Sequence, residues 1–128
     1  LQILRECPRL RRLAVKGEDS TIQPSFIDAL SAFVNLTSLS IDRVSGYGFG
    51  QEVDIAPLES LVQLTKFEIR GVNLGPVFML HMPQLTSLKI SLALRLTDIS
   101  VLSAMTGLKT LEISHCFSII MIGLTNLE

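Results

Sequence analysis

The sequence predicts an α/β solenoid, with a ladder of parallel strands on its concave face and short helices or 3-10 turns on its convex face. The first observation is a pattern that occurs five times: an apolar residue, two variable residues, an apolar residue, one variable residue and a β-branched apolar residue. The five copies are Leu10-Leu13-Val15, Leu36-Leu39-Ile41, Leu64-Phe67-Ile69, Leu85-Leu88-Ile90 and Leu108-Leu111-Ile113, and Leu127 begins a sixth. A period in the twenties indicates stacked turns, since one turn cannot bury its apolar face alone.

The second observation is that the apolar spacing changes within each copy. Leu13 and Val15 alternate with variable residues, as a half-buried strand requires. Upstream, apolar residues stand three and six positions before the first leucine. They are Cys7, Phe33, Leu61, Met82 and Met105 at the nearer position, and Leu4, Leu30, Leu58, Met79 and Leu102 at the farther one. That three-residue spacing is typical of a helical or 3-10 segment with one buried face. Each copy therefore predicts one strand and one outer segment.

The first two connections each carry a helix signal. Pro24 and Ser25 are suited to begin a helix that runs to about Phe33. The second connection has a glycine-rich stretch at 45–50, followed by a predicted short helix at about 56–61.

The third and fourth connections are shorter. Gly75-Pro76 leaves too little chain for a regular helix in the third. In the fourth, Asp98 or Thr97 is expected to cap a helix.

The length and composition suit one domain covering residues 1–128. Hydrophobic residues make up 48% of the chain, and the mean hydropathy is +0.46. The longest apolar run, at 119–122, is far shorter than the roughly 18 residues of a membrane span. Because the chain opens and closes inside a repeat, we expect an uncapped fragment of about five full repeats that continues beyond both ends.

The cysteines and one sequon bear on the compartment. Cys7 and Cys116 are separated by four strand steps, or roughly 19 Å, which exceeds the limit of about 7 Å between the Cα atoms of a disulfide. Two buried thiols favour a reducing compartment, the cytoplasm or nucleus. The glycosylation sequon Asn35-Leu36-Thr37 leaves a secreted or surface protein as the alternative.

Together these motifs resemble the leucine-rich repeat superfamily over essentially the whole chain. Three segments are similar to its cysteine-containing type, found in F-box substrate receptors, plant immune receptors and protist proteins: residues 7–13 (CPRLRRL), residues 111–116 (LEISHC) followed by Ile119, and residues 96–98 (LTD). The exit cysteine is replaced by Glu18, Val44, Val72 and Ala93 in the other copies. The resemblance implies recognition of a protein on the concave face.

The strand pattern predicts which side chains point out of the concave face. These variable positions hold eight of the chain's eleven basic residues and three of its twelve acidic residues, although the net charge of the whole chain is only −1. A face with this excess of positive charge attracts an acidic partner. The candidate binding residues are Arg12, Lys16, Ser40, Asp42, Arg43, Lys66, Glu68, Arg70, Lys89, Lys109, Glu112 and His115.

Other kinds of site have weaker support. The stretch 46–50 lacks the third glycine of a dinucleotide-binding loop, but its Tyr47 and Phe49 are candidate anchors for a partner. His81, His115 and the cysteines have no zinc-ligand spacing, and no catalytic group or cofactor is expected.

The sequence thus predicts a non-enzymatic module that binds an acidic protein or peptide. The alternative is a structural or scaffolding segment of a larger receptor, with no ligand of its own. Nucleic acid is not expected, because the predicted face lacks aromatic residues for base stacking. The oligomeric state stays open.

Overall fold

The computed structural model describes residues 9–17, 24–43, 52–78 and 80–115, and its fold is α/β. Five strands dominate: β1 (Arg12–Gly17), β2 (Ser38–Arg43), β3 (Lys66–Arg70), β4 (Ser87–Ser91) and β5 (Thr110–Ser114). One α-helix, α1 (Pro24–Leu30), and two 3-10 helices, Ala56–Ser60 and Ser100–Ala104, lie between them.

The five strands form one parallel sheet in sequence order. Their register aligns the apolar pattern of each strand with that of the next. One inward row is Leu13, Leu39, Phe67, Leu88 and Leu111, and the other is Val15, Ile41, Ile69, Ile90 and Ile113. The predicted parallel strand ladder is confirmed, and its order is compatible with a solenoid.

Tight hydrogen-bonded turns account for the three-residue apolar spacing. The N–H groups of Leu36, Leu64, Leu85 and Leu108 each donate to the carbonyl three residues earlier, all at 3.0 Å. The same bond joins Leu61 to Leu58 and Met105 to Leu102. A turn closed over three residues returns successive apolar side chains to the same side. Each chain segment therefore keeps its apolar residues inward as it turns into the next strand.

The helices of the connections lie where the sequence predicts them, but their lengths and types differ from the prediction. Helix α1 begins at Pro24 as predicted but ends at Leu30, because the next residues form tighter bonds such as Phe33 N–H to the Leu30 carbonyl at 3.1 Å. The helix predicted at 56–61 is a 3-10 helix, Ala56–Ser60. The third connection contains no helix within 71–78 and 80–86, as expected, and Val77 instead pairs with Asp98 in a parallel bridge.

The hydrophobic core lies between the sheet and these outer segments. It is one continuous cluster in which strand residues such as Phe67 and Ile90 pack with Leu30, Leu58 and Leu102 from the outer side. Phe78, also fully buried, fills the third connection, where no helix is present. Burial of apolar surface is thus shared between neighbouring turns along the sheet.

Neither Asp98 nor Thr97, the two predicted capping residues, is the N-cap of the second 3-10 helix; that residue is Ile99, which has no side-chain cap, and Asp98 stands one residue before it. The Asp98 Oδ1 accepts a hydrogen bond from the Ser100 backbone N–H at 2.9 Å, and Asp54 accepts one from Ala56 in the same way at the first 3-10 helix. Thr97 instead donates its hydroxyl to the Pro76 carbonyl at 3.1 Å. Hydrogen bonds from the backbone and side chain of Ser100 hold the pKa of Asp98 below its ordinary value of 3.8.

This lowered pKa predicts a stability difference that depends on pH. Asp98 contributes fully above 3.8, the ordinary pKa of the unfolded group, and its contribution is lost as the pH falls through the lower folded pKa. Asp98→Ala is therefore expected to be less stable than the wild type at neutral pH, with a gap that narrows below about pH 4. Urea unfolding across the acid range measures it.

Asp98→Asn is the matched control, because its amide oxygen still accepts the Ser100 N–H but does not titrate. It should keep most of the neutral-pH stability. A gap between the wild type and Asp98→Ala that stays constant through the acid range would contradict the assigned hydrogen bond.

Candidate binding surface on the exposed sheet face

The side chains that alternate with the inward rows form the exposed face of the sheet. The strand register arranges them in three rows. The amino row is Arg12, Ser38, Lys66, Ser87 and Thr110; the middle row is Ala14, Ser40, Glu68, Lys89 and Glu112; the carboxyl row is Lys16, Asp42, Arg70, Ser91 and Ser114. None of these residues is aromatic, so the surface is polar and charged, and only Ser91 among them is buried.

The middle row alternates acid, base and acid across β3, β4 and β5. The Lys89 ammonium lies 4.0 Å from a Glu68 carboxylate oxygen and 3.7 Å from one of Glu112. The Lys89 side chain is 43% exposed, so each ion pair contributes at most about 1 kcal/mol to folding. The larger consequence is electrostatic, because two carboxylates compensate the positive charge of Lys89 towards a ligand.

The carboxyl row contains a second compensated cation. Arg70 Nη1 lies 3.9 Å from Asp42 Oδ2 on the neighbouring strand. The other oxygen of Asp42, Oδ1, is buried and has no hydrogen-bond partner among the described residues, and the same is true of Nε of the adjacent Arg43. This row therefore presents Lys16 as its remaining exposed cation.

The amino edge of the sheet, where the strands begin, differs from the middle and carboxyl rows in the pairing of its cations. Arg12 and Lys66 in the amino row are exposed, as is Lys109 immediately before β5. None of the three forms an ion pair with another described residue. Within the described ranges, no carboxylate therefore offsets their charges.

Threonines at the same edge have a role that the sequence reasoning missed. The hydroxyls of Thr37, Thr65 and Thr86 donate to the carbonyls of Arg11, Thr37 and Thr65 at 3.1, 3.3 and 3.2 Å. Each threonine thereby links the start of its strand to the preceding one. The sequence does carry a signal for this role, because threonine occupies the same position in three successive copies of the pattern.

His115, a candidate binding residue, occupies a turn position shared with two other strands. Gly71, Leu92 and His115 directly follow β3, β4 and β5, and their φ angles are 72°, 54° and 55°. This left-handed conformation suits glycine and is uncommon for other residues. His115 is exposed there, at the carboxyl edge. The candidate anchors Tyr47 and Phe49 lie outside the described residues.

Ser40, another candidate binding residue, belongs to the exposed face. Ser40 lies in the middle row beside Ala14 and Glu68.

Among the residues described, no three His, Cys, Asp or Glu side chains are grouped so as to hold a metal ion. A small pocket of about 90 Å³ lies between the second and third connections, and its lining residues, including Glu52, Leu74 and Phe78, do not belong to the exposed face.

Comparison with known proteins adds no family to this description. No family model matches the chain, and no curated protein shows a significant match to it. Within the described ranges, no helix has the length and apolar character needed to cross a bilayer.

Proposed function

We propose that this protein is a leucine-rich repeat solenoid that acts as a non-enzymatic recognition module for an acidic protein or peptide. The binding surface is the exposed sheet face, which a solenoid of this type carries on its concave side. The chain contributes five repeats to that surface. The well-separated cysteines of the sequence favour the cytoplasm or nucleus as its compartment.

The observation that carries the proposal is the in-register alignment of five outward strand faces into one polar surface. Five strand positions and three rows span roughly 19 Å by 13 Å. That is smaller than the area of about 800 Å² that each partner buries in a standard protein interface. A short extended segment of a partner fits this surface better than a broad globular one. The exposed cations give an acidic segment the electrostatic advantage.

A structural role without a ligand is the second candidate, and one observation favours it. Lys89 and Arg70 are already paired with Glu68, Glu112 and Asp42 across neighbouring strands. A face that satisfies its own charges in this way is stable without a partner. The two functions differ in whether the exposed face selects ligands.

Selection from a random peptide library tests the proposal. Peptides retained by the wild-type chain are expected to be rich in Asp and Glu. The variant Lys66→Glu/Lys89→Glu should bind them more weakly and lose most of the salt dependence of binding. A charge-reversed variant whose affinity and salt dependence match the wild type would exclude the exposed face as the binding surface and favour the structural role.

A further inference from the structure

The positive charge of the exposed face is distributed unevenly among its cations. Lys89 lies within 4.0 Å of two carboxylates, and Arg70 lies 3.9 Å from one. At the amino edge, Arg12, Lys66 and Lys109 have no acidic neighbour at that distance among the described residues. An anionic ligand gains more from an uncompensated cation than from one that already has a carboxylate beside it. The amino edge is therefore the most attractive part of the surface for a carboxylate.

Among the described residues, the unpaired cations at the amino edge lie at alternate strands, with Arg11 beside Arg12 at the first of them. Arg12 on β1 and Lys66 on β3 share the amino row, whereas Lys109 stands one residue before Thr110, the β5 member of that row. Residues in register on alternate strands are two steps apart, which is about 9.6 Å. An extended peptide in the polyproline II conformation has three residues per turn and a rise of about 3.1 Å, so every third side chain returns to the same face after about 9.3 Å. The two spacings match.

Apolar side chains are exposed on the turns that lead into the same edge. Val34 and Val62, which are 49% and 67% exposed, stand four residues upstream of Ser38 and Lys66. The Gln63 amide nitrogen is 3.4 Å from the Asn35 amide oxygen, so these two turns lie side by side. Apolar side chains of a peptide can contact such valines, whereas the phosphate groups of a nucleic acid contribute only charge. The edge favours a protein segment over a polyanion.

We propose that the ligand crosses the strands along the amino edge as an extended segment with an acidic residue at every third position. This inference rests on the proposed function and specifies the subsite and the sequence pattern of the partner. The carboxylates of the segment pair with Arg12, Lys66 and Lys109. The hydroxyls of Ser38 and Ser87 lie between them in the amino row and can hydrogen-bond the segment.

Two synthetic peptides of identical composition and about ten residues test the spacing. One carries glutamate at every third position and the other carries the same glutamates in a contiguous run, with serine, threonine and valine elsewhere. Binding to the wild-type chain is measured by fluorescence anisotropy at low salt. The spaced peptide is expected to bind more tightly. Equal affinity for the two peptides, or no measurable binding of the spaced one, overturns the inference.

Two double variants with the same change in net charge test the subsite. Lys66→Gln/Lys109→Gln removes free cations and is expected to weaken binding of the spaced peptide about 3- to 20-fold. Arg70→Gln/Lys89→Gln removes cations of the carboxyl and middle rows, roughly 13 and 7 Å along the strands from the amino row, and should change it less than about 2-fold. Both variants change partly or fully exposed residues, and their circular dichroism spectra verify that they remain folded.

The outcomes separate this inference from the proposed function. Equal losses in both double variants would indicate diffuse attraction by net charge, which overturns the amino-edge subsite and leaves the exposed face as the binding surface. No loss in either variant would place the peptide elsewhere and overturn both proposals. An unstructured oligonucleotide that binds as tightly as the spaced peptide would also overturn the assignment of a protein segment.

Discussion

Replacing Phe67 with alanine is expected to lower the free energy of unfolding by about 3 to 5 kcal/mol. Phe67 is fully buried at the centre of an inward row, between Leu39 on β2 and Leu88 on β4. The substitution removes an aromatic ring from a site where three adjacent strands converge, and the rigid sheet cannot move in to fill the space. Urea denaturation measures the loss through a lower midpoint at unchanged slope.

Phe67→Leu is the matched control, because leucine occupies the corresponding position in the other four strands. It should cost only about 1 to 1.5 kcal/mol. It also keeps the prediction testable if the alanine variant does not fold, since stabilities of small domains are only about 5 to 15 kcal/mol. A loss below about 1 kcal/mol for Phe67→Ala would contradict the packing of the sheet described above.

Asn73→Ala is expected to destabilise the chain by about 1 to 3 kcal/mol. Asn73 is only 7% exposed, and its Oδ1 accepts a hydrogen bond from the Gly75 N–H at 2.9 Å. Gly75 is buried and adopts a φ of 74°, so its N–H has no access to water in place of the lost acceptor. The backbone carbonyl of Asn73 also accepts the Val53 N–H at 2.8 Å, which ties the second connection to the third.

Gln63→Ala provides the comparison for an exposed amide. Gln63 donates to Asn35 at 3.4 Å on the surface, and its removal should cost at most about 0.5 kcal/mol. Both free energies come from the same urea unfolding experiment. Equal small losses in the two variants would show that the buried Asn73–Gly75 hydrogen bond does not hold this turn.

Much of the scaffold follows from the sequence because burial imposes a visible period. The alternation at Leu39 and Ile41 and its repetition in later copies locate every strand of the sheet. The end of α1 is less predictable, since an α-helix and the tighter turn that the chain adopts would both bury Phe33. Local spacing does not distinguish these two conformations when both bury the same side chain.

The candidate surface was only partly predictable, because its properties depend on neighbours that are far apart in the chain. The sequence places Glu68, Lys89 and Glu112 on the same face, but counting their charges one by one does not show that Lys89 pairs with both glutamates. Aligning the copies reveals that the three residues share one position of the pattern. The same alignment brings His115 into line with Gly71 and Leu92. All three residues adopt a left-handed backbone conformation, which the residue type of His115 does not predict.

Binding of acidic partners at the exposed sheet face underlies both proposals for this protein. NMR chemical-shift mapping with the acidic peptides selected from the library tests it most directly. The largest shift changes are expected along the amino and middle rows, at residues such as Lys66, Ser87 and Lys89. Changes centred on the outer segments, at Asp28, Pro57 or Ser103, would contradict it.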